Sequence, residues 1–178
     1  MSIYTGRGDQ GRTDLWGSDK RLSKASHRIE GYGSADELIG LLGHAAAHAD
    51  PEIQEDLEHV QNHLHVLMAQ LADVEGKGDK EVSQEHVEWL EEKIDNYEEE
   101  LPEIDGFIIP GGSEAGSILH YSRSVCRRVE RRIVKLDEEE GVDSDLSTYI
   151  NRLSDLLFVL SRYQNEIDGM EEEKVSYR

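Results

Sequence analysis

Residues 113–136 contain no proline, and their apolar side chains Ile118, Val125, Val129, Ile133 and Leu136 recur at helical spacing. At about 100° per residue these fall on one side of an α-helix. Within the same stretch lie five arginines in ten residues: Arg123, Arg127, Arg128, Arg131 and Arg132. Arg123, Arg127 and Arg131 share the side away from the apolar stripe, with Glu130 between them. Like charges at that spacing oppose helix formation by about 0.2–0.5 kcal/mol per pair. A fold has no need of such a row. A polyanion or an acidic partner surface accounts for it, because guanidinium groups grip phosphate and carboxylate as a bidentate fork.

The cluster stands against the composition of the chain. There are 39 Asp and Glu against 19 Lys and Arg, a net charge of −20, and acids run together in residues 88–100, 137–140 and 171–173. Most of this surface repels duplex phosphate, so nucleic acid is excluded as a partner. Only seven lysines accompany the acid excess, a composition suited to concentrated salt, and we expect a halophilic cytoplasm. No run of 18 apolar residues is present, so no membrane span is expected, and residues 1–17 lack the apolar core of a signal peptide. A single cysteine, Cys126, forbids an internal disulfide and suits a reducing cytoplasm.

At 178 residues the chain is expected to be a single domain, residues 1–178, able to bury about 70% of its unfolded surface. Residues 1–30 are polar, with Gly6, Gly8, Gly11 and Gly17, and read as an arm. A helical body is expected over 34–168. Its first helix starts at Ser34 and runs to about residue 49. Pro51 opens a second, to about 74, striped by Ile53, Leu57, Val60, Leu64, Leu67 and Leu71. A third begins at Ser83 and stops before Pro102; the arginine helix, capped by Ser113, is the fourth; residues 145–167 form the fifth. No β-type alternation is visible. The expected fold class is all-α, a five-helix bundle with a Gly-rich N-terminal arm.

Glycines in the arm free backbone N–H groups to approach an anion, and Arg7, Arg12 and Lys24 bring cations near them, although no Walker sequence is present. In the fifth helix Asn151 carries a donor and an acceptor that could read a nucleotide. Asp155 and Arg162 fit a solvated face, paired locally, as well as they fit a site. His44 and His48, and His59 and His63, are four apart, yet no Glu-x-x-His accompanies them and a third ligand is missing by spacing, so no metal site is expected. Cys126 falls on the apolar side of its helix, as a small buried hydrophobe does. Nothing marks a Ser-His-Asp triad.

Four blocks, in order, carry a family likeness. They are Ile3-Tyr-Thr-Gly-Arg-Gly-Asp-Gln-Gly; Glu30-Gly-Tyr-Gly-Ser-Ala-Asp-Glu-Leu; Phe107-Ile-Ile-Pro-Gly-Gly; and Ser124-Val-Cys-Arg-Arg-Val-Glu-Arg-Arg followed by Tyr149-Ile-Asn-Arg-Leu-Ser-Asp-Leu-Leu-Phe. From residue 3 to about 165 the chain resembles the ATP:cob(I)alamin (corrinoid) adenosyltransferases of the propanediol-utilisation type. The resemblance implies a homotrimer of five-helix bundles with sites between subunits. It also implies transfer of the 5′-deoxyadenosyl group of ATP to cob(I)alamin, giving adenosylcobalamin and triphosphate, with Mg²⁺ on the phosphates. Thr5, Gly6, Arg7, Gly8, Thr13, Asp14 and Lys24 match the family's ATP-wrapping arm. Arg127, Arg128, Glu130, Arg131 and Asn151 match the rest of its nucleotide pocket, with Arg127 foremost in stabilising the triphosphate. Phe107 resembles the apolar residue that displaces the lower axial ligand of cobalt, and Asp36 and Arg123 resemble a pair joined across the subunit interface. A flavoprotein reductase and an adenosylcobalamin-dependent mutase are the implied partners. The arm departs from the family, with Gly6-Arg7 where a basic residue and a threonine are usual, and Arg12-Thr13-Asp14 in place of a neutral stretch. The rival readings are a non-catalytic ATP-binding bundle, acting as regulator or cobalamin-delivery module, and an adaptor whose arginine face docks an acidic partner.

Overall fold

In the computed structural model, residues 4, 6–15, 20–142 and 144–177 are described. Five helices carry the fold: α1 (His27–Ala46), α2 (Pro51–Ala72), α3 (Gln84–Glu99), α4 (Glu114–Glu140) and α5 (Ser144–Ile167). Each of α2 and α4 begins where its side chains can serve the free N–H groups of a helix start. Asp50 accepts from the Glu52 N–H at 3.1 Å with Pro51 in the first turn, and the Ser113 hydroxyl accepts from the Gly116 N–H at 3.1 Å. The arginine helix ends at Gly141, whose φ of 66° takes the left-handed conformation that closes a helix without Cβ strain.

The helix α4 lies between α1 and α5; α2 packs on α1, and α3 on α5. Val125, Val129, Ile133 and Leu136 of α4 are buried, as the helical spacing requires, against Leu38 and Leu42 of α1 and Tyr149, Leu153, Leu156 and Leu160 of α5 in a single core. One charge sits deep at its edge. Asp56, almost fully buried, takes a hydrogen bond from the Tyr97 hydroxyl at 2.8 Å and an ion pair from Lys93 at 2.7 Å, which satisfies it.

Two expectations change. The first helix starts at His27 rather than Ser34, so the arm is shorter than residues 1–30 and the helical body begins earlier. Gly31 and Gly33 weaken that segment by about 1 kcal/mol each relative to alanine, which hides it from local reading. Distant contacts hold it instead: Arg28 donates to the Leu71 carbonyl at 2.7 Å, His27 meets Glu139 at 2.6 Å, and Gly31 is buried beside Leu71. The second change is a small antiparallel ribbon in the arm, β1 (Arg12–Asp14) with β2 (Arg21–Ser23), in the register Arg12↔Ser23, Thr13↔Leu22, Asp14↔Arg21. Three residues per strand are too few to display alternation.

Candidate functional site: an arginine face and an exposed phenylalanine

The five arginines of α4 separate by direction. Arg128 pairs with Glu37 and Arg132 with Glu30, both on α1. Arg123 leans to the other flank, its guanidinium carbon 5.2 Å from the Phe158 ring centre on α5, a cation–π contact. Arg127 and Arg131 remain exposed. The repulsion inferred from spacing is thus relieved for three of the five by neighbouring helices and left standing in the other two.

Arg127 approaches Glu130 only to 3.8 Å. Glu130 is more firmly held by Asn151, whose side-chain amide donates to it at 3.0 Å from α5. Arg127, Glu130 and Asn151 therefore form one small polar group across the α4–α5 seam, with cationic and amide donors facing outward. Beside it, Arg128, Arg131, Arg132, Lys135, His27 and Glu30 line a cleft of about 350 Å³ between α4 and α1. A larger cavity, about 470 Å³, opens between α3, α4 and α5, with Arg123, Arg152, Asp155 and Phe158 on its walls.

The arm folds back on itself. Asp14 lies between Arg7 at 3.2 Å and Arg21 at 3.0 Å, so its charge is engaged inside the ribbon. Arg21 was not singled out by sequence, yet it bridges both strands, since it also donates to the Arg12 carbonyl at 3.2 Å. Gly6 and Gly11 have φ of 67° and 72°, where an L-residue is strained. A Cβ on Gly8 would lie 3.2 Å from the Lys24 ammonium, so these two expected residues meet. Thr13 occupies the middle of β1, half-buried, with its hydroxyl directed at the Asp14 carbonyl at 3.4 Å. Thr5 lies outside the described residues.

Phe107 is 78% exposed, on the loop joining α3 to α4. Asp36 is exposed on α1, and among the described residues its carboxylate forms no ion pair with Arg123, which instead faces Phe158. Arg162 does not lie on a solvated face, one of the two readings that its spacing leaves open. It is 5% exposed and bonds Glu172 and the Pro102 carbonyl, because the C-terminal tail folds over that side of α5. Arg152, not Arg162, pairs with Asp155, at 3.3 Å. Cys126 is buried with its sulfur 3.4 Å from the Ile150 carbonyl, and burial pushes its thiol far up, which makes it inert as a nucleophile. His63 packs against His86, Trp89 and Tyr149, with ring centres 4.6, 5.2 and 5.9 Å away. Burial first, then the neighbouring His86 and His59, push its imidazole down to about 4.

A family model described as cobalamin adenosyltransferase matches residues 3–164. The chain belongs to that family. Among curated relatives, it is 38% identical over 175 residues to the corrinoid adenosyltransferase of Bacillus subtilis, covering 96% of this chain and 90% of the relative. It is 41% identical over 169 residues to the corrinoid adenosyltransferase PduO of Salmonella typhimurium, covering 93% of this chain but 50% of that longer protein. Among solved structures, a variant PduO-type ATP:corrinoid adenosyltransferase from Lactobacillus reuteri, complexed with cobalamin and ATP, superposes with a TM-score of 0.92 at 35% identity, covering 99% and 97% of the two chains. A second variant from that organism, complexed with ATP, gives 0.90 at 36% identity, covering 98% and 100%. The five-helix architecture of this family member is that of its solved relatives.

Proposed function

We propose that this chain transfers the 5′-deoxyadenosyl group of ATP to cob(I)alamin, forming adenosylcobalamin and triphosphate. The observation that carries the reading is the Arg127, Glu130 and Asn151 group, placed on the α4–α5 seam of a chain matched to the family over residues 3–164. Cob(I)alamin is itself the nucleophile. Its cobalt electron pair forms the bond to the ribose C5′ while the C5′–O bond breaks and triphosphate departs. No side chain has to take a proton, so the protein's part is orientation and stabilisation of the leaving charge.

Arg127, outward and loosely held, is our choice for the group that meets the triphosphate, with Arg128 and Arg131 beside it. Asn151 reads the nucleotide, and Glu130 fixes the Asn151 amide. Mg²⁺ travels with the phosphates; Glu130 is the carboxylate of this group with the charge and oxygen donors such an ion takes. Gly6, Arg7, Gly8, Thr13 and Lys24, with Thr5 ahead of them, wrap the nucleotide. Asp14 holds Arg7 and Arg21 in the shape that allows it.

Asp36 and Arg123 face different flanks of one chain, which suits a pair completed between copies, and we infer a homotrimer whose sites lie at the seams. Phe107, too exposed to serve the core, presents its ring to the lower face of the corrin, where loss of the axial ligand makes cobalt easier to reduce. A flavoprotein reductase supplying the electron and an adenosylcobalamin-dependent mutase taking the product complete the partner set. We place the protein in a salt-rich cytoplasm, on its net charge of −20; a thermal midpoint that falls as KCl is raised overturns that placement.

The test is an anaerobic visible spectrum of the purified protein with ATP, Mg²⁺ and chemically reduced cobalamin. Conversion to adenosylcobalamin with equimolar triphosphate is expected. ATP binding without conversion would leave a regulator or delivery module, and no ATP-dependent gain in thermal stability would leave an adaptor. A site filled at 100 times its Kd adds about 2.7 kcal/mol, easily seen in a melt.

A further inference from the structure

Phe107 touches little with its ring, yet its backbone is held from several directions. Its carbonyl accepts from the Val175 N–H at 2.9 Å, and two residues on, the Ile109 N–H donates to the Glu173 carbonyl at 2.7 Å. The C-terminal tail thus runs antiparallel to the loop through the pair Ile108↔Lys174, and Lys174 also pairs with Asp105. Two nearly buried side chains of the last turns of α5 anchor this assembly. Arg162 donates through Nε to Glu172 of the tail at 2.8 Å and through Nη2 to the Pro102 carbonyl, where the loop begins, at 2.8 Å. Asn165, 3% exposed, receives the Ser113 N–H at 3.0 Å and donates to the Gly111 carbonyl at 2.9 Å, where the loop ends. Its backbone carbonyl takes the Met170 N–H at 2.8 Å, which turns the tail back toward the loop. The fit is close: a Cβ on Gly112 or Gly116 would lie 2.3 or 2.1 Å from the Asn165 side-chain oxygen.

A buried arginine–carboxylate pair is a poor device for stability, since desolvation offsets most of its attraction. It is a good device for holding two segments in one arrangement. Ordering a loop costs about 1–2 kcal/mol per residue in backbone entropy, so an exposed ring keeps one position only if its backbone is held from outside.

We propose that Arg162, Glu172 and Asn165 are positioning residues for Phe107, acting through the Pro102 carbonyl, the tail strand and the Gly111–Ser113 turn to present the ring to the corrin. The proposal rests on the reading of Phe107 given above. The three act by fixing the backbone that carries the ring.

The experiment uses the full chain, with Arg162→Met, Glu172→Ala, Glu172→Gln and Phe107→Ala beside the parent. Each is loaded with MgATP and cob(II)alamin, and the four-coordinate fraction is read by electron paramagnetic resonance. Arg162→Met and Glu172→Ala are expected to lower that fraction by about tenfold, since displacing a presenting group by about 1 Å costs up to about 10²-fold. Glu172→Gln, which still accepts from Arg162, restores most of it. ATP affinity and turnover of prereduced cob(I)alamin stay within about twofold, because the substitutions act on the loop and tail and leave the arginine face of α4 unaltered. Should Phe107→Ala lose the four-coordinate species while Glu172→Ala and Arg162→Met keep it, the anchoring role is wrong and Phe107 stands. A normal signal in Phe107→Ala removes the reading of Phe107 and this proposal with it. Loss of ATP binding along with the signal, or no rescue by Glu172→Gln, marks Arg162 and Glu172 as merely structural and overturns the proposal.

Discussion

The Asn151 amide donates to Glu130 at 3.0 Å and so ties α5 to the arginine face of α4, while Arg127, three residues from Glu130, stays 3.8 Å from it. A held carboxylate beside a loosely held guanidinium leaves the cation available to an incoming phosphate.

Arg127→Ala is therefore expected to lower kcat by about 10²–10³, the loss typical of removing one group that stabilises developing charge. Being exposed, it should shift folding stability by no more than about 0.5 kcal/mol. Steady-state rates and denaturant melts on the same preparations check both. Parallel losses in rate and stability would mean that Arg127 supports the fold.

Phe107→Ala should scarcely move the melting temperature, because a ring 78% exposed buries little area. Its rate deficit is expected to be large when cob(II)alamin is supplied with a reductant and small when cob(I)alamin is prereduced. An equal deficit from both starting states would remove the axial role.

On the proposed Asp36–Arg123 pairing between copies, Asp36→Arg alone should weaken assembly by setting like charges against each other, and Asp36→Arg with Arg123→Asp should restore it. Sedimentation across a range of concentrations reads the result. If the single variant sediments as the parent does, the pairing is absent.

His63 gives a pH dependence with a definite sign. Its native imidazole is held down to about 4, by burial first and then by His86 and His59, against an ordinary 6.5. Between those values the unfolded chain binds the proton and the native one does not, so stability rises with pH. The contribution is complete above about 6.5 and is lost as pH falls toward about 4. His63→Gln removes the titration, and urea midpoints measured from pH 7 down to 4 should show a flatter fall than the parent. Superimposable curves would refute it.

Much of this was open to reading along the chain. Helix α4 was legible because its apolar spacing and the Ser113 cap are local signals, and the arginine row could be seen against an acidic background. The motif around Arg127, Glu130 and Asn151 named the family and the chemistry, since residue type and order suffice for that. The outcome for each arginine could not be read. Arg128 and Arg132 turn to Glu37 and Glu30 on a helix far earlier in the sequence, and no local rule separates them from Arg127.

Local spacing thus determined the helices and their apolar stripes, because those depend on periods of a few residues, while ordered motifs along the chain named the family. Three features were decided by packing between distant segments. The first turns of α1 form because Arg28 and Gly31 meet Leu71, against the preference of their own glycines. Arg162 is buried rather than solvated because the tail brings Glu172 to it, and the Phe107 backbone is held because Asn165 bonds the end of its loop and the tail pairs with the middle. Each such contact exists only after the chain has folded; even Glu172, ten residues from Arg162, reaches it only because the tail turns back past the end of α5.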